Sequence, residues 1–202
     1  MTVAKLFATP VQTTNLDILD SANSEIKQRC LQKKIDSPGR TLSNKGGWQS
    51  HDLDNTDLNT ARFRELFFKI KEEVNVFFEV MGIVDQGEYI NSWINVNNSG
   101  DFNSTHTHPN SIVSGVYYVS VPSNSGELVF TRPSDLTSWF YSSYSKEFND
   151  VSKNFVIHTP VEKELVLFPS WLPHCVTANN SNTERISISF NYNARTFKFG
   201  TS

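Results

Sequence analysis

Two hydrophobic periods divide this chain. In its first part, apolar residues recur every three or four positions, the spacing of a helix face. Leu16, Leu19, Ala22, Ile26 and Cys30 form one such run, and Ser37-Pro38-Gly39-Arg40 ends it. Phe63, Leu66, Phe67, Ile70, Val74, Phe77, Phe78 and Met81 form a second, stronger stripe. It predicts a long helix over residues 56–81, with Asp57 near the positive end of the helix dipole and Gly82 as its stop. A phenylalanine stripe of this kind is core packing, so this helix should back a sheet. Residues 3–11, closed off by Pro10, predict a short edge strand. Residues 41–55 are polar, carry Gly46-Gly47-Trp48, and read as a loop.

After Gly87 the period becomes two. Candidate strands cover residues 89–97, 112–121, 127–131, 154–158, 164–168, 174–177 and 185–192, with turn-forming Asn, Gly, Ser and Pro clusters between them. Seven short strands at fairly regular spacing predict a sandwich or barrel rather than a parallel sheet. Residues 134–152 are polar and aromatic, and long for a connection, which suggests a lid over a barrel mouth.

The length of 202 residues fits a single domain with a sizeable core. It divides into a helical support region, 1–85, and a β core, 86–202. A net charge of −3 leaves no electrostatic footprint for nucleic acid, and no polybasic run suggests a membrane surface. No run of about 18 apolar residues is present. Cys30 and Cys175 lie too far apart in sequence for a zinc knuckle or a disulfide framework. Together with the absence of a secretory leader, this points to a reduced, cytoplasmic setting.

Candidate chemistry rests on histidine. His106 and His108 stand two apart, so an extended backbone turns both to one side. His174, from a distant strand end, can complete a three-nitrogen face on a divalent metal and leave positions open for substrate and O2. The plainer alternative is a pair of solvated histidines and a core histidine. The strand 185–192 adds weight to the metal. It alternates cleanly, with Ile186, Ile188, Phe190 and Tyr192 on one face and Arg185, Ser187, Ser189 and Asn191 on the other. If the polar face turns inward, Arg185 becomes a buried cation that needs an anion, and its planar fork matches a carboxylate. Ser187 can donate to the same group.

The ordered set of motifs carries a resemblance. It comprises Trp93-x-Asn95, His106-x-His108-Pro109, Ser114-Gly115-Val116-Tyr117-Tyr118, Phe168-Pro169-Ser170-Trp171-Leu172-x-His174 and Arg185-x-Ser187. Leu6-Phe7-Ala8-Thr9-Pro10 and Gly47-Trp48-Gln49-Ser50 extend it over almost the whole chain. The chain resembles the Fe(II)- and 2-oxoglutarate-dependent oxygenases, above all the branch found in phages and marine bacteria. That resemblance implies a double-stranded β-helix, the cupin-like jelly roll. It also implies Fe(II) and 2-oxoglutarate as cofactors, O2 as co-substrate, and hydroxylation of a small molecule or a protein side chain.

Carried over by position, His106 and His174 match the family's two histidine ligands, and Arg185 with Ser187 matches its carboxylate-binding pair. His108 stands where the family has an acid. Either His108 is a third nitrogen ligand, or His108 is the first ligand and Asn110 takes the acid's place; three histidines are the preferred set, because amides are poor ligands beside imidazole. Asn95 and Tyr118 are candidates to contact 2-oxoglutarate. Glu127 does not fit the ligand spacing, His51 and His158 read as surface or capping residues, and Cys175 as a small buried hydrophobe. A three-histidine cupin enzyme that does not use 2-oxoglutarate, and a non-catalytic ligand-binding barrel, are the competing functions. A homodimer is left open, and the location is host cytoplasm if the chain is a phage's.

Overall fold

The computed structural model describes residues 7–133 and 153–196. The predicted lid and residues 3–6 of the predicted strand over residues 3–11 lie outside those residues, and the described part of that stretch, 7–11, is not strand. Among them, the helices are α1 (Asp20–Asp36), α2 (Asn55–Leu58) and α3 (Ala61–Val80). The strands are β1 (Gln12–Asn15), β2 (Asn44–Lys45), β3 (Trp48–Gln49), β4 (Gly87–Asn97), β5 (Phe102–His106), β6 (Val113–Ser120), β7 (Leu128–Thr131), β8 (Phe155–His158), β9 (Glu164–Pro169), β10 (His174–Val176) and β11 (Arg185–Ala194). They form two antiparallel sheets: β1-β9-β6-β11-β4-β3 and β2-β5-β10-β7-β8. The architecture is mainly β, the expected jelly roll. No described helix is long and apolar enough to cross a membrane.

The larger sheet is buried on both faces, and its alternation sorts side chains into two cores. Tyr117 and Val119 of β6, Leu165 and Leu167 of β9, and Ile186, Ile188 and Phe190 of β11 face the helices. There they meet Ile26 and Cys30 of α1 and Leu66, Ile70, Val74, Phe77 and Phe78 of α3. Each fully buried side chain of this size contributes about 1.5–3 kcal/mol of transfer free energy. The intervening residues Val116, Tyr118, Val166 and Phe168 point the other way. With Leu128, Phe130 and Leu172 they form a smaller core between the sheets. The site lies beside this second core.

Several predicted boundaries move, each for a local reason. The edge strand begins at Gln12, after Pro10, and runs beside β9. α1 starts at Asp20 rather than Leu16. The Leu16 N–H donates to Lys163 O, continuing the β1–β9 ladder, and Leu16 and Ile18 are buried while Leu19 is exposed, a period of two. The long second helix is broken. Asp54 caps α2 by accepting from the N–H groups of Thr56 and Asp57, and the Asp57 carboxylate accepts from the Asp54 N–H. α3 then starts afresh after Thr60 and ends before Gly82, whose φ of +73° suits glycine. The predicted loop 41–55 contributes β2 to one sheet and β3 to the other.

Candidate active site

β5 and β10 pair so that His106 and His174 are opposite each other across the ladder. His108 follows β5 by two residues, and its N–H donates to Ser170 O at 2.9 Å. The three rings converge, with centroids 5.1 Å apart for His106–His108, 4.4 Å for His106–His174 and 5.1 Å for His108–His174. One ring nitrogen from each lies within 4.8 Å of the others.

The hydrogen bonds of these rings fix which nitrogen is left for a metal. His106 Nδ1 bonds to Ser104 O at 2.8 Å, and His174 Nδ1 to Leu172 O at 2.9 Å. His108 Nδ1 bonds to the Asn191 side-chain oxygen at 2.7 Å. A carbonyl oxygen only accepts, so each Nδ1 carries the proton and each Nε2 keeps its lone pair. His108 Nε2 is buried with no hydrogen-bond partner. Burial holds the imidazoles neutral, pushing His108 down to about 4 and His174 to about 3, and lowering His106 as well. Three neutral imidazoles with free Nε2 atoms, one of them orphaned, fit a divalent transition metal.

The histidines line a small cavity together with Trp93, Asn95, Tyr118, Arg185, Ser187 and Ser189. Arg185 is 2% exposed. Its Nη1 donates to Ser125 O at 2.8 Å, and among the described residues no carboxylate pairs with it. Burial lowers its pKa, opposed by the neighbouring Tyr118 and Asp101. A buried cation that faces a cavity and meets only one carbonyl is set up for an anionic ligand. Asn95 Nδ2 donates to Ser189 Oγ at 3.1 Å, while its Oδ1 is buried without a partner. Tyr118 is buried, which raises its hydroxyl pKa.

The cavity therefore gathers all seven singled-out residues: His106, His108, His174, Arg185, Ser187, Asn95 and Tyr118. Asn110 is not among them; it is exposed, its φ is +67°, and its carbonyl accepts from Asn193 Nδ2. Glu127 is half-buried outside the cavity and accepts from Thr159. Cys175 is half-buried rather than buried, because it lies on the side of short β10 away from His174. His158, read as a surface or capping residue, is half-buried in β8 and bonds to Glu164 at 2.8 Å. Asn191, the partner of His108, was legible only as a polar residue on the Arg185 face. Ser43 and Asn103, which also line the cavity, carry no sequence signal.

No curated protein matches the chain in sequence. Solved structures match in fold. A Pseudomonas putida prolyl-4-hydroxylase is 14% identical with a TM-score of 0.64, covering 94% of this chain and 95% of that one. A Trichoplax adhaerens prolyl hydroxylase, bound to a hypoxia inducible factor peptide fragment, is 15% identical with a TM-score of 0.67, covering 91% and 83%. HygX from Streptomyces hygroscopicus, solved with nickel and 2-oxoglutarate, is 11% identical with a TM-score of 0.62, covering 94% and 85%. The family described as "Putative 2OG-Fe(II) oxygenase" matches residues 91–191, half of the chain, a span that holds the three histidines and Arg185. On that match, the chain belongs to the 2-oxoglutarate- and Fe(II)-dependent oxygenases.

Proposed function

We propose that His106, His108 and His174 hold the iron through their Nε2 atoms, and that Arg185, with Ser187, holds the far carboxylate of 2-oxoglutarate. The observation that carries this reading is the buried, carboxylate-free guanidinium of Arg185 in the same cavity as three Nδ1-anchored imidazoles. When bound, iron and 2-oxoglutarate supply an oxygen-activating centre that converts 2-oxoglutarate and O2 to succinate and CO2 and hydroxylates a C–H bond.

The chain's own residues bind, orient and exclude water. The three Nδ1–H groups lock the ring planes and keep Nε2 unprotonated. Arg185 fixes the tail of 2-oxoglutarate through a charge-assisted, two-pronged contact, and Ser187 adds a hydroxyl on the same face. Asn95 Oδ1 and the Tyr118 hydroxyl offer further polar contacts. Val116 and Phe168 wall off the same cavity. A neutral His108 in place of a carboxylate leaves the metal centre one unit more positive than a two-histidine, one-carboxylate set. The substrate is a small molecule or a protein side chain.

The test is calorimetric titration of 2-oxoglutarate into metal-loaded protein under anaerobic conditions. Wild type binds, and Arg185→Ala binds at least tenfold more weakly. Equal affinities would overturn the role of Arg185 and favour a three-histidine enzyme that does not use 2-oxoglutarate.

A further inference from the structure

The acceptors that anchor the three histidines differ in kind. His106 and His174 each use a backbone carbonyl two residues back in their own segment. His108 uses a side chain 83 residues away, Asn191 Oδ1. A backbone carbonyl has one sense. A side-chain amide has two, and the wrong one would present an N–H to His108.

A directed chain of hydrogen bonds settles which sense is adopted. Asn191 Oδ1 accepts from His108 Nδ1 and from Ser114 Oγ, each at 2.7 Å. Asn191 Nδ2 donates to Asn91 Oδ1 at 2.8 Å. Asn91 Nδ2 donates to Asp52 Oδ2 at 3.2 Å, and the other Asp52 oxygen pairs with Arg40. Asp52 already takes Arg40 on its other oxygen, and a carboxylate only accepts. Asn91 must therefore turn its nitrogen to Asp52 and its oxygen to Asn191. Asn191 must turn its nitrogen to Asn91 and its oxygen to His108, and His108 must then carry its proton on Nδ1. Reversing any one amide places two donors or two acceptors face to face.

We propose that Asn191 is a positioning residue for His108, and that Asn91 and Asp52 set the sense of its amide, so that a carboxylate at the surface fixes the tautomer of a buried ligand. The proposal rests on His108 being a metal ligand. An imidazole with its proton on Nε2 has no lone pair on the nitrogen that faces the metal, so the chain governs metal affinity without touching the metal. Loss of such outer partners typically costs 10–100-fold in affinity.

The tautomer is read directly in the metal-free protein by long-range proton–nitrogen correlation of 15N-labelled histidine. Wild type gives the Nδ1–H form for all three residues. Asn191→Leu removes the acceptor, so His108 alone leaves that form and Co(II) binds about 10–100-fold more weakly by calorimetry. Asn191→Asp keeps an oxygen on His108 and restores the Nδ1–H form and most of the Co(II) affinity. Asn91→Ala, a change at a half-buried position that leaves the fold intact, releases the amide and gives His108 as a mixture of tautomers. The proposal is overturned if Asn191→Leu keeps the Nδ1–H form at His108, or if Asn91→Ala gives the wild-type spectrum. Wild-type protein that shows the Nδ1–H form yet binds no Co(II) would instead overturn the ligand assignment.

Discussion

Gly126 abuts the guanidinium of Arg185: a β-carbon built on the glycine would lie 2.8 Å from Arg185 Nη1 and 2.4 Å from Thr177 O. The glycine also holds φ at +94°. Gly126→Ala therefore meets two penalties, an unfavourable backbone region worth about 1–2 kcal/mol and a carbon overlapping the Arg185 side chain. The expected outcome is a lower melting temperature together with weaker 2-oxoglutarate binding, checked by thermal melts and by titration. A variant that melts earlier but binds normally would separate the glycine from the Arg185 site.

Arg185→Lys tests geometry rather than charge. Ammonium cannot make the two-pronged contact, so binding should fall between wild type and Arg185→Ala. Every 1.4 kcal/mol is a factor of ten, and breaking a desolvated pair of this kind costs about 2–5 kcal/mol. Metal affinity, measured by calorimetry in the absence of 2-oxoglutarate, should be unchanged in both variants.

The buried histidines make the metal-free protein acid-sensitive. Burial depresses their folded pKa values, to about 4 for His108 and about 3 for His174, against 6.5 for an ordinary histidine. Between these limits the unfolded chain binds more protons than the folded one, so stability rises with pH. It is fully present above about pH 6.5 and is lost as pH falls through the folded values. Urea denaturation at pH 7 and at pH 4.5 should show the drop. His174→Gln should show a smaller one.

Tyr117 donates to Asn23 Oδ1 at 2.9 Å, and Asn23 Nδ2 donates to Val119 O at 2.9 Å, tying α1 to the centre of the larger sheet. Tyr117→Phe removes one buried hydrogen bond and should cost about 1–3 kcal/mol, since it leaves the Asn23 oxygen unsatisfied. The double variant Tyr117→Phe, Asn23→Leu should cost less than the sum of the singles. Chemical denaturation of the four proteins measures the coupling.

How much of this was legible in the sequence depends on whether the signal is local. The α3 stripe and the β11 alternation are local patterns, and both faces of β11 went where the alternation put them. Residues 102–106 carry no such pattern. Phe102 is exposed, Asn103 is buried, and the strand exists because β2 and β10 flank it. β2 and β3 are two residues each and owe their form to pairing alone. The convergence of His106, His108 and His174 was foreseeable from a His-x-His pair and a distal histidine. The links from Asn191 to Asn91 and Asp52 were not, because side chains from three separate segments meet only in the folded sheet.

β11 lies between β4 and β6 in the larger sheet, although among the described residues it is the last strand in chain order. Its pairings, Arg185 with Asn97 and Ser187 with Tyr118, close long loops. While the protein is being made, α3, β4 and β6 leave the ribosome long before residues 185–194 do. Until then two edges of the sheet are open and Tyr117, Ile94 and Phe67 lack their neighbours from β11. Such long-range closure folds slowly and exposes apolar strand edges in the meantime. The strand that delivers Arg185 to the cavity is thus also the one that seals the sheet, so a nascent chain cannot complete the cavity before its framework is complete.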